Sequence, residues 1–71
     1  MTEWLKKNSI KRKYSASNEY CFGKDGDIYF EVYDFTFENG GYALFCEDFE
    51  IQNVTIEQII NFAKAFGLEL K

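Results

Sequence analysis

Acidic side chains are the most numerous chemically active groups in this 71-residue chain, which has twelve Asp and Glu residues and no histidine. Several of them fall in a segment predicted below to form strands, where cross-strand carboxylates can come within general acid and base distance. These are Glu31, Asp34, Glu47, Asp48 and Glu50. Such catalysis also requires a deep cleft that shifts pKa values and excludes water. A chain this short has little room for one, so we expect a protein that is not an enzyme.

The two cysteines, Cys21 and Cys46, lie far apart in the sequence, and neither has another cysteine or a histidine near it. This spacing excludes the common zinc and redox motifs. Without a histidine base, the usual activation of a thiol or hydroxyl nucleophile is also missing. We therefore expect two free thiols that pack as small apolar groups, with no metal site and no cofactor.

Charge is distributed unevenly along the chain, which carries a net charge of -4. Residues 1 to 14 hold five basic side chains and one acidic one, whereas residues 15 to 71 hold three lysines and eleven carboxylates. The basic segment includes Lys11, Arg12 and Lys13, which would contact phosphates if the protein bound nucleic acid. The alternative, favoured by the net charge, is that this segment lies in solvent against the acidic remainder.

The first 13 residues have no apolar stretch of signal-peptide length, and no segment approaches the roughly 18 apolar residues of a membrane span. We therefore expect a cytoplasmic protein with no membrane partner. If a phage encodes it, that compartment is the host cytoplasm.

Both ends of the chain carry helix signals. Residues 1 to 13 are predicted to form a basic arm or a short helix that docks through Trp4 and Leu5. Residues 55 to 66 are predicted to form the C-terminal helix, because Thr55 and Gln58 make a capping box and Gly67 is a typical residue after a helix end.

Two dipeptides, Asp25-Gly26 and Asn39-Gly40, predict two-residue hairpin turns and hence a β-meander over residues 19 to 51. A tip at Asn39-Gly40 places Tyr33 opposite Cys46. The structure of residues 10 to 22 stays open between one strand and two pieces. The predicted fold is one α+β domain over residues 1 to 71, with an antiparallel three-stranded sheet, or a four-stranded one if residues 68 to 71 return as an edge strand.

With that register, the C-terminal helix packs on the more aliphatic side of the sheet, which carries Ile28, Phe30, Val32, Phe45, Phe49 and Ile51. Tyrosines and phenylalanines, including Tyr20 and Phe22, crowd the opposite side. A tight tip at Asp25-Gly26 places Phe22 beside Tyr29 and Cys21 beside Phe30, so the two cysteines fall on opposite faces. A soluble monomer rarely exposes so large an apolar surface, so this side is the predicted protein interface. Its candidate residues are Tyr29, Glu31, Tyr33, Phe35, Tyr42, Leu44 and Asp48.

The sequence therefore favours a small acidic protein-binding module. Carboxylates placed where phosphates would sit suit a phage or mobile-element inhibitor of a host nucleic-acid-processing or defence protein, comparable to an anti-CRISPR protein or a nucleic-acid mimic. Two alternatives stay open. One is a single-stranded nucleic-acid-binding protein that stacks bases on the aromatic face and holds phosphates with the basic arm. The other is a homodimeric structural or adaptor protein whose aromatic face is half of a dimer core. No motif is specific enough to indicate a family.

Overall fold

The computed structural model describes residues 2 to 10, 12 and 14 to 71 of the chain. Its elements in chain order are helix α1 (Thr2–Asn8), strands β1 (Glu19–Lys24) and β2 (Asp27–Asp34), a single 3-10 turn (Thr36–Glu38), strands β3 (Tyr42–Cys46) and β4 (Phe49–Val54), and helix α2 (Ile56–Ala65). The strands form one antiparallel sheet in the order β1-β2-β3-β4. The α+β meander with a helix at each end is confirmed.

Helix α2 begins and ends where the sequence predicts. The side chain of Thr55 accepts a hydrogen bond from the Gln58 N–H at 3.1 Å, and the Gln58 side chain accepts one from the Thr55 N–H at 2.8 Å. At the other end Gly67 has a φ of +76°, and the Leu68 N–H donates to the Ala63 carbonyl at 3.2 Å. These are a capping box and a Schellman motif, which satisfy backbone groups that a helix end leaves unpaired.

The core lies between α2 and one side of the sheet, and α1 closes its end. Leu5 of α1 is completely buried, and the ring of Trp4 stacks on Phe22 with 5.8 Å between centroids. The buried core cluster comprises Leu5, Tyr20, Phe22, Phe30, Val32, Leu44, Val54, Ile59 and Ala63. Aromatic side chains supply much of its area, as a core this small requires.

The predicted hairpin at Asp25-Gly26 is confirmed, since both residues have positive φ values of 54° and 88°. Beyond the tip, a bulge between Phe22 and Gly23 shifts the pairing by one residue. Phe22 therefore lies opposite Phe30 rather than Tyr29, which places Phe22 in the core.

The predicted two-residue tip at Asn39-Gly40 is wrong. Strand β2 ends at Asp34, because its carboxylate accepts hydrogen bonds from the N–H of Thr36 at 2.9 Å and from its hydroxyl at 2.5 Å. These bonds begin a longer loop that contains the 3-10 turn, and Asn39 ends that turn with a φ of 61°. Asp and Ser/Thr side chains commonly redirect a chain in this way.

The longer loop moves the β3 register by three positions, so Tyr33 pairs with Ala43 instead of Cys46. Because side chains alternate between faces, an odd shift places every β3 side chain on the face opposite to the predicted one. Leu44 is consequently buried in the core and Phe45 lies on the side away from α2. The two cysteines still lie on opposite faces and are free thiols, as predicted, but each is on the other face from the one expected.

The fourth strand also differs from the sequence prediction. A two-residue turn at Glu47 and Asp48 divides the predicted third strand into β3 and β4, so the meander extends to Val54. Neither turn residue has a positive φ, so the turn needs no Gly or Asn of the kind that marks a tight turn in a sequence. Residues 68 to 71 form no strand; their last N–H donates to the Asn8 side chain of α1 at 2.6 Å.

Candidate functional site

The side of the sheet that faces away from α2, called the outer face here, combines aromatic rings with paired carboxylates. Its central residues come from β1, β2 and β3, where opposite partners share a face. They are Glu19, Cys21, Glu31, Tyr33, Ala43 and Phe45. The outer face is therefore smaller and more polar than the sequence predicts, because Tyr20, Phe22 and Leu44 lie in the core instead.

Three half-exposed rings form an aromatic cluster on the outer face. Tyr33 stacks on Phe35, with 5.9 Å between centroids and 8° between planes, and meets Phe45 edge-on at 5.2 Å. Together with Glu31 these rings line a shallow hollow of about 270 Å³. The hollow is open and small, so it suits a single inserted side chain from a partner better than an enclosed substrate.

Two carboxylates, Glu19 and Glu31, share a hydrogen bond beside the aromatic cluster. They lie diagonally across β1 and β2, since Glu19 pairs with Tyr33 and Cys21 pairs with Glu31. The hydrogen bond from Glu31 lowers the pKa of Glu19. The same hydrogen bond, followed by burial and the charge of Glu19, raises the pKa of Glu31. When the pair takes up a proton as pH falls, Glu31 is therefore the carboxyl group that binds it first.

Tyr33 joins the rings to the carboxylates, because its hydroxyl donates a hydrogen bond to the Glu31 side chain at 3.2 Å. Burial, together with the charges of Glu19 and Glu31, raises the pKa of Tyr33 to about 12. The phenol therefore remains a neutral donor at physiological pH, which fixes the ring against the carboxylate.

Cys21 brings a third potential ligand atom to the carboxylate pair. The thiol sulfur and one carboxylate oxygen from each of Glu19 and Glu31 lie within 4.8 Å of one another. Burial is the main cause that raises the pKa of Cys21, and the thiol donates a hydrogen bond to Glu19 at 3.6 Å. Metal binding to cysteine requires the thiolate. These features are typical of a buried thiol in a hydrogen-bonded network rather than of a reactive or ligating sulfur.

The segment before β1 lies over the Cys21 end of the outer face. Ile10 bonds to β1 through its N–H, which donates to the Cys21 carbonyl at 2.7 Å, and the Ser15 hydroxyl lies 4.0 Å from the Cys21 sulfur. Arg12 is exposed in this segment, and its charge acts to lower the pKa of Glu31. It therefore lies within electrostatic reach of the carboxylate pair.

The structure separates the predicted interface residues into two groups. Glu31, Tyr33 and Phe35 meet on the outer face as expected, whereas Leu44 is buried in the core and Tyr42 packs against that core from the α2 side. Placing those two residues on the outer face was wrong, because of the three-position shift in register.

Tyr29 and Asp48 lie away from the aromatic cluster. The Tyr29 ring stacks on Phe66 after α2, with 5.2 Å between centroids, at the margin of the core. Asp48 is exposed in the turn between β3 and β4. Of the predicted phosphate-binding residues, Arg12 is exposed, and Lys11 and Lys13 lie outside the described residues.

The aromatic cluster and the carboxylate pair each contain one residue that was not among the sequence candidates, Phe45 and Glu19 respectively. Phe45 was assigned to the helix side because the β3 register was wrong. Glu19 begins β1 in a segment whose register the sequence left open. The sequence pattern that could have predicted the face of Phe45 is Asp34 followed by Thr36. This pattern favours a side-chain-stabilised turn before the Asn39-Gly40 dipeptide, and the resulting loop length sets the register of β3.

Comparison with protein-family models, with curated proteins and with solved structures found no match to this chain. In the part of the chain that the structure describes, neither helix is long and apolar enough to cross a membrane. The function of the chain is therefore inferred from its outer face and its charge distribution.

Proposed function

We propose that this chain is a small acidic, non-catalytic protein-binding module whose outer face binds a basic partner protein. The observation that supports this proposal is the contact of one half-exposed aromatic cluster, Tyr33 with Phe35 and Phe45, with the Glu19–Glu31 carboxylate pair. Interface centres are enriched in aromatic residues, which bury large areas and lose few rotamers on binding.

The charge distribution favours a basic partner. Beyond residue 14 the chain holds eleven carboxylates and three lysines, so its field attracts a positively charged surface and speeds encounter. Glu31 lines the aromatic hollow and Glu19 lies beside Glu31, so the hollow matches an Arg side chain that stacks on Phe35 while it pairs with the carboxylates. A basic surface of this kind is typical of proteins that bind nucleic acid.

The proposed partner class is consequently a nucleic-acid-processing or defence protein whose phosphate-binding surface the carboxylates occupy. On this proposal the module acts in the cytoplasm as an inhibitor, of the sort that a phage or mobile element encodes. Single-stranded nucleic acid is a weaker candidate ligand, because a base stacked on Phe35 would bring its phosphates close to Glu19 and Glu31.

Affinity capture from a bacterial lysate with matched phenylalanine variants tests the proposal. Phe35 belongs to the aromatic cluster, whereas Phe37, two residues later, is 69% exposed in the 3-10 turn. We expect Phe35→Ser to lose a captured basic protein and Phe37→Ser to retain it, with circular dichroism showing that both variants fold. Capture that survives Phe35→Ser, or that both substitutions abolish equally, would contradict the proposal.

A charge-reversal pair tests the acidic part of the surface. Glu31→Lys changes the charge beside the aromatic hollow, and Glu57→Lys makes the same change on an exposed position of α2. We expect Glu31→Lys to reduce affinity for the captured protein by about tenfold or more, and Glu57→Lys to have a much smaller effect. Equal effects would show that only the net charge of the chain matters.

A further inference from the structure

The sheet has one partly covered edge and one open edge. At the β1 edge, the Ile10 N–H donates to the Cys21 carbonyl, so the segment before β1 covers part of this edge. The other edge is β4, and its residues from Phe49 to Asn53 are all exposed. Among the described residues, no backbone hydrogen bond reaches β4 from its open side. An uncovered edge strand is a template for pairing with another strand.

The hydrogen bonds of the sheet determine which β3 backbone groups point toward β4. Phe35 donates its N–H to the Gly41 carbonyl at 3.0 Å, so this is a hydrogen-bonded pair at the start of the β2–β3 ladder. Hydrogen-bonded and non-hydrogen-bonded pairs alternate along antiparallel strands. Ala43 and Phe45 therefore bond to β2, and Leu44 between them directs its backbone groups to β4.

The same alternation defines the open side of β4. Leu44 pairs with Ile51, so the backbone groups of Ile51 point toward β3. Glu50 and Gln52, on either side of Ile51, direct their N–H and C=O groups to the open edge. An antiparallel strand that adds to this edge must bond to those two residues.

If the added strand is β4 of a second copy, charge selects one of three registers. Glu50 opposite Glu50 of the second copy places two carboxylates side by side, which is unfavourable. Gln52 opposite Gln52 of the second copy would require Asn53 to take part in the strand pairing. Asn53 has a φ of 56° and lies at a bulge, so it does not continue a regular strand. Glu50 opposite Gln52 avoids both problems. Within one chain, the Gln52 side chain donates a hydrogen bond to the Glu50 carboxylate, and this register allows the same hydrogen bond between the two copies.

The apolar side chains of β4 fit the same register. Phe49 is 44% exposed and Ile51 is 40% exposed, both on the α2 side of the sheet. A two-fold axis at Ile51 places the two Ile51 side chains against each other and keeps both α2 helices on one side of the joined sheet. The exposed apolar surface at Ile51 of one copy is thereby buried against the same surface of the second copy.

We propose that two copies of this chain associate through β4, in antiparallel register with Ile51 on the two-fold axis, to form one continuous eight-stranded sheet. This interface is formed by the edge of β4 and not by the aromatic cluster of Tyr33, Phe35 and Phe45, so each proposal can fail without the other. Four backbone hydrogen bonds and a small apolar contact are a limited interface, so the dimer is weak and reversible.

Sedimentation equilibrium measures the dimer dissociation constant, and its change in Gln52 variants tests both the interface and the proposed register. Gln52→Lys places an ammonium opposite Glu50 of the second copy at two symmetric positions, and we expect the dissociation constant to fall by about threefold to tenfold. Gln52→Glu should raise it by a similar factor, since it creates two pairs of like charges. Asn61→Lys, an equal charge change on an exposed position of α2, should leave it within about twofold of the wild-type value.

A disruptive variant completes the test. Ile51→Lys places two ammonium groups against each other at the two-fold axis and should abolish the dimer while the circular dichroism spectrum stays that of a folded chain. The proposal is overturned if the wild-type chain is a monomer at millimolar concentration, if Ile51→Lys leaves the dimer intact, or if Asn61→Lys and Gln52→Lys change the dissociation constant equally.

Discussion

At the residue scale, two adjacent carboxyl groups and one phenol determine the electrostatics of the outer face. Their interaction lowers the pKa of Glu19 and raises that of Glu31, while the Tyr33 hydroxyl donates to Glu31. The result is a pair of acidic groups fixed beside a neutral phenol. The proximity of the two carboxyl groups opposes the ionisation of Glu31 in the folded chain.

Glu31→Gln should stabilise the protein at neutral pH. The raised pKa of Glu31 means that the wild-type chain is stabilised by this group below the ordinary Glu pKa, and that the stabilisation is lost as pH rises through the raised value. The amide that this substitution introduces donates to Glu19 at every pH. We expect a gain of about 0.5–1 kcal/mol in unfolding free energy near pH 8, which decreases toward pH 4.

Urea denaturation at several pH values measures this difference. Glu47→Gln, in the exposed β3–β4 turn, is the matched control for removal of one carboxylate and should change the unfolding free energy at pH 8 by much less. A Glu31→Gln variant that is less stable than wild type at pH 8 would contradict an unfavourable interaction between the Glu19 and Glu31 carboxylates.

The ionisation of Tyr33 gives a second measurement at this scale. Because its pKa is raised to about 12, ionisation of the folded chain is opposed, and the stabilisation from this group is lost as pH rises from about 10 through 12. A difference titration by ultraviolet absorbance, wild type minus Tyr33→Phe, should have its midpoint near 12 while circular dichroism reports a folded chain. A midpoint near the ordinary value of 10 would mean that Tyr33 is not held against the carboxylates.

At the scale of elements, the loop after β2 decides which side chains reach the outer face. Its first turn depends on the Asp34 carboxylate, which bonds to Thr36 through both the backbone and the hydroxyl. The longer loop sets the odd register shift that exposes Phe45 and buries Leu44. A two-residue turn at Asn39-Gly40 would instead place Leu44 on the outer face and Phe45 on the α2 side.

Asp34→Ala should therefore destabilise the fold by about 1 kcal/mol, because the Thr36 N–H loses its acceptor. Asp34→Asn keeps an acceptor oxygen and should retain most of the stability. Asp27→Ala, at the exposed start of β2, controls for removal of a carboxylate. Equal unfolding midpoints for the Ala and Asn variants at position 34 would exclude this account of the loop.

Local signals were sufficient to predict the C-terminal helix and the first hairpin, and they left the N-terminal segment open between a basic arm and a short helix. Thr55 with Gln58, and Asp25-Gly26, each determine a structure within a few residues. The register of β3 was not predictable from Asn39-Gly40, because Asp34 begins the loop five residues earlier. The turn at Glu47 and Asp48 carries no Gly or Asn, so its geometry comes from the pairing of β3 with β4.

The candidate site was predicted in part for the same reason. Glu31, Tyr33 and Phe35 belong to β2 and to its end, where alternation alone gives the face. Phe45, Leu44 and Tyr42 depend on the long-range register, and all three were assigned to the wrong side.

At the scale of the whole molecule, the chain separates two surfaces of different character. The outer face is acidic and aromatic, and its Cys21 end is covered by the segment before β1. The β4 edge is open and carries Phe49 and Ile51 on the α2 side. Two copies joined at β4 would present two outer faces on the same side of one sheet, so a dimer would bind a repeated or two-fold basic partner with increased avidity.

Hydroxyl-radical footprinting of the chain, free in buffer and bound to its captured partner, identifies the surface that the partner covers. We predict that Phe35 and Phe45 become protected on binding, while Phe37 in the 3-10 turn and Ile51 on β4 keep the reactivity they show in the free chain at the same concentration. Protection confined to the β4 edge or to α2, with Phe35 and Phe45 unchanged, would contradict the assignment of the outer face as the protein-binding surface.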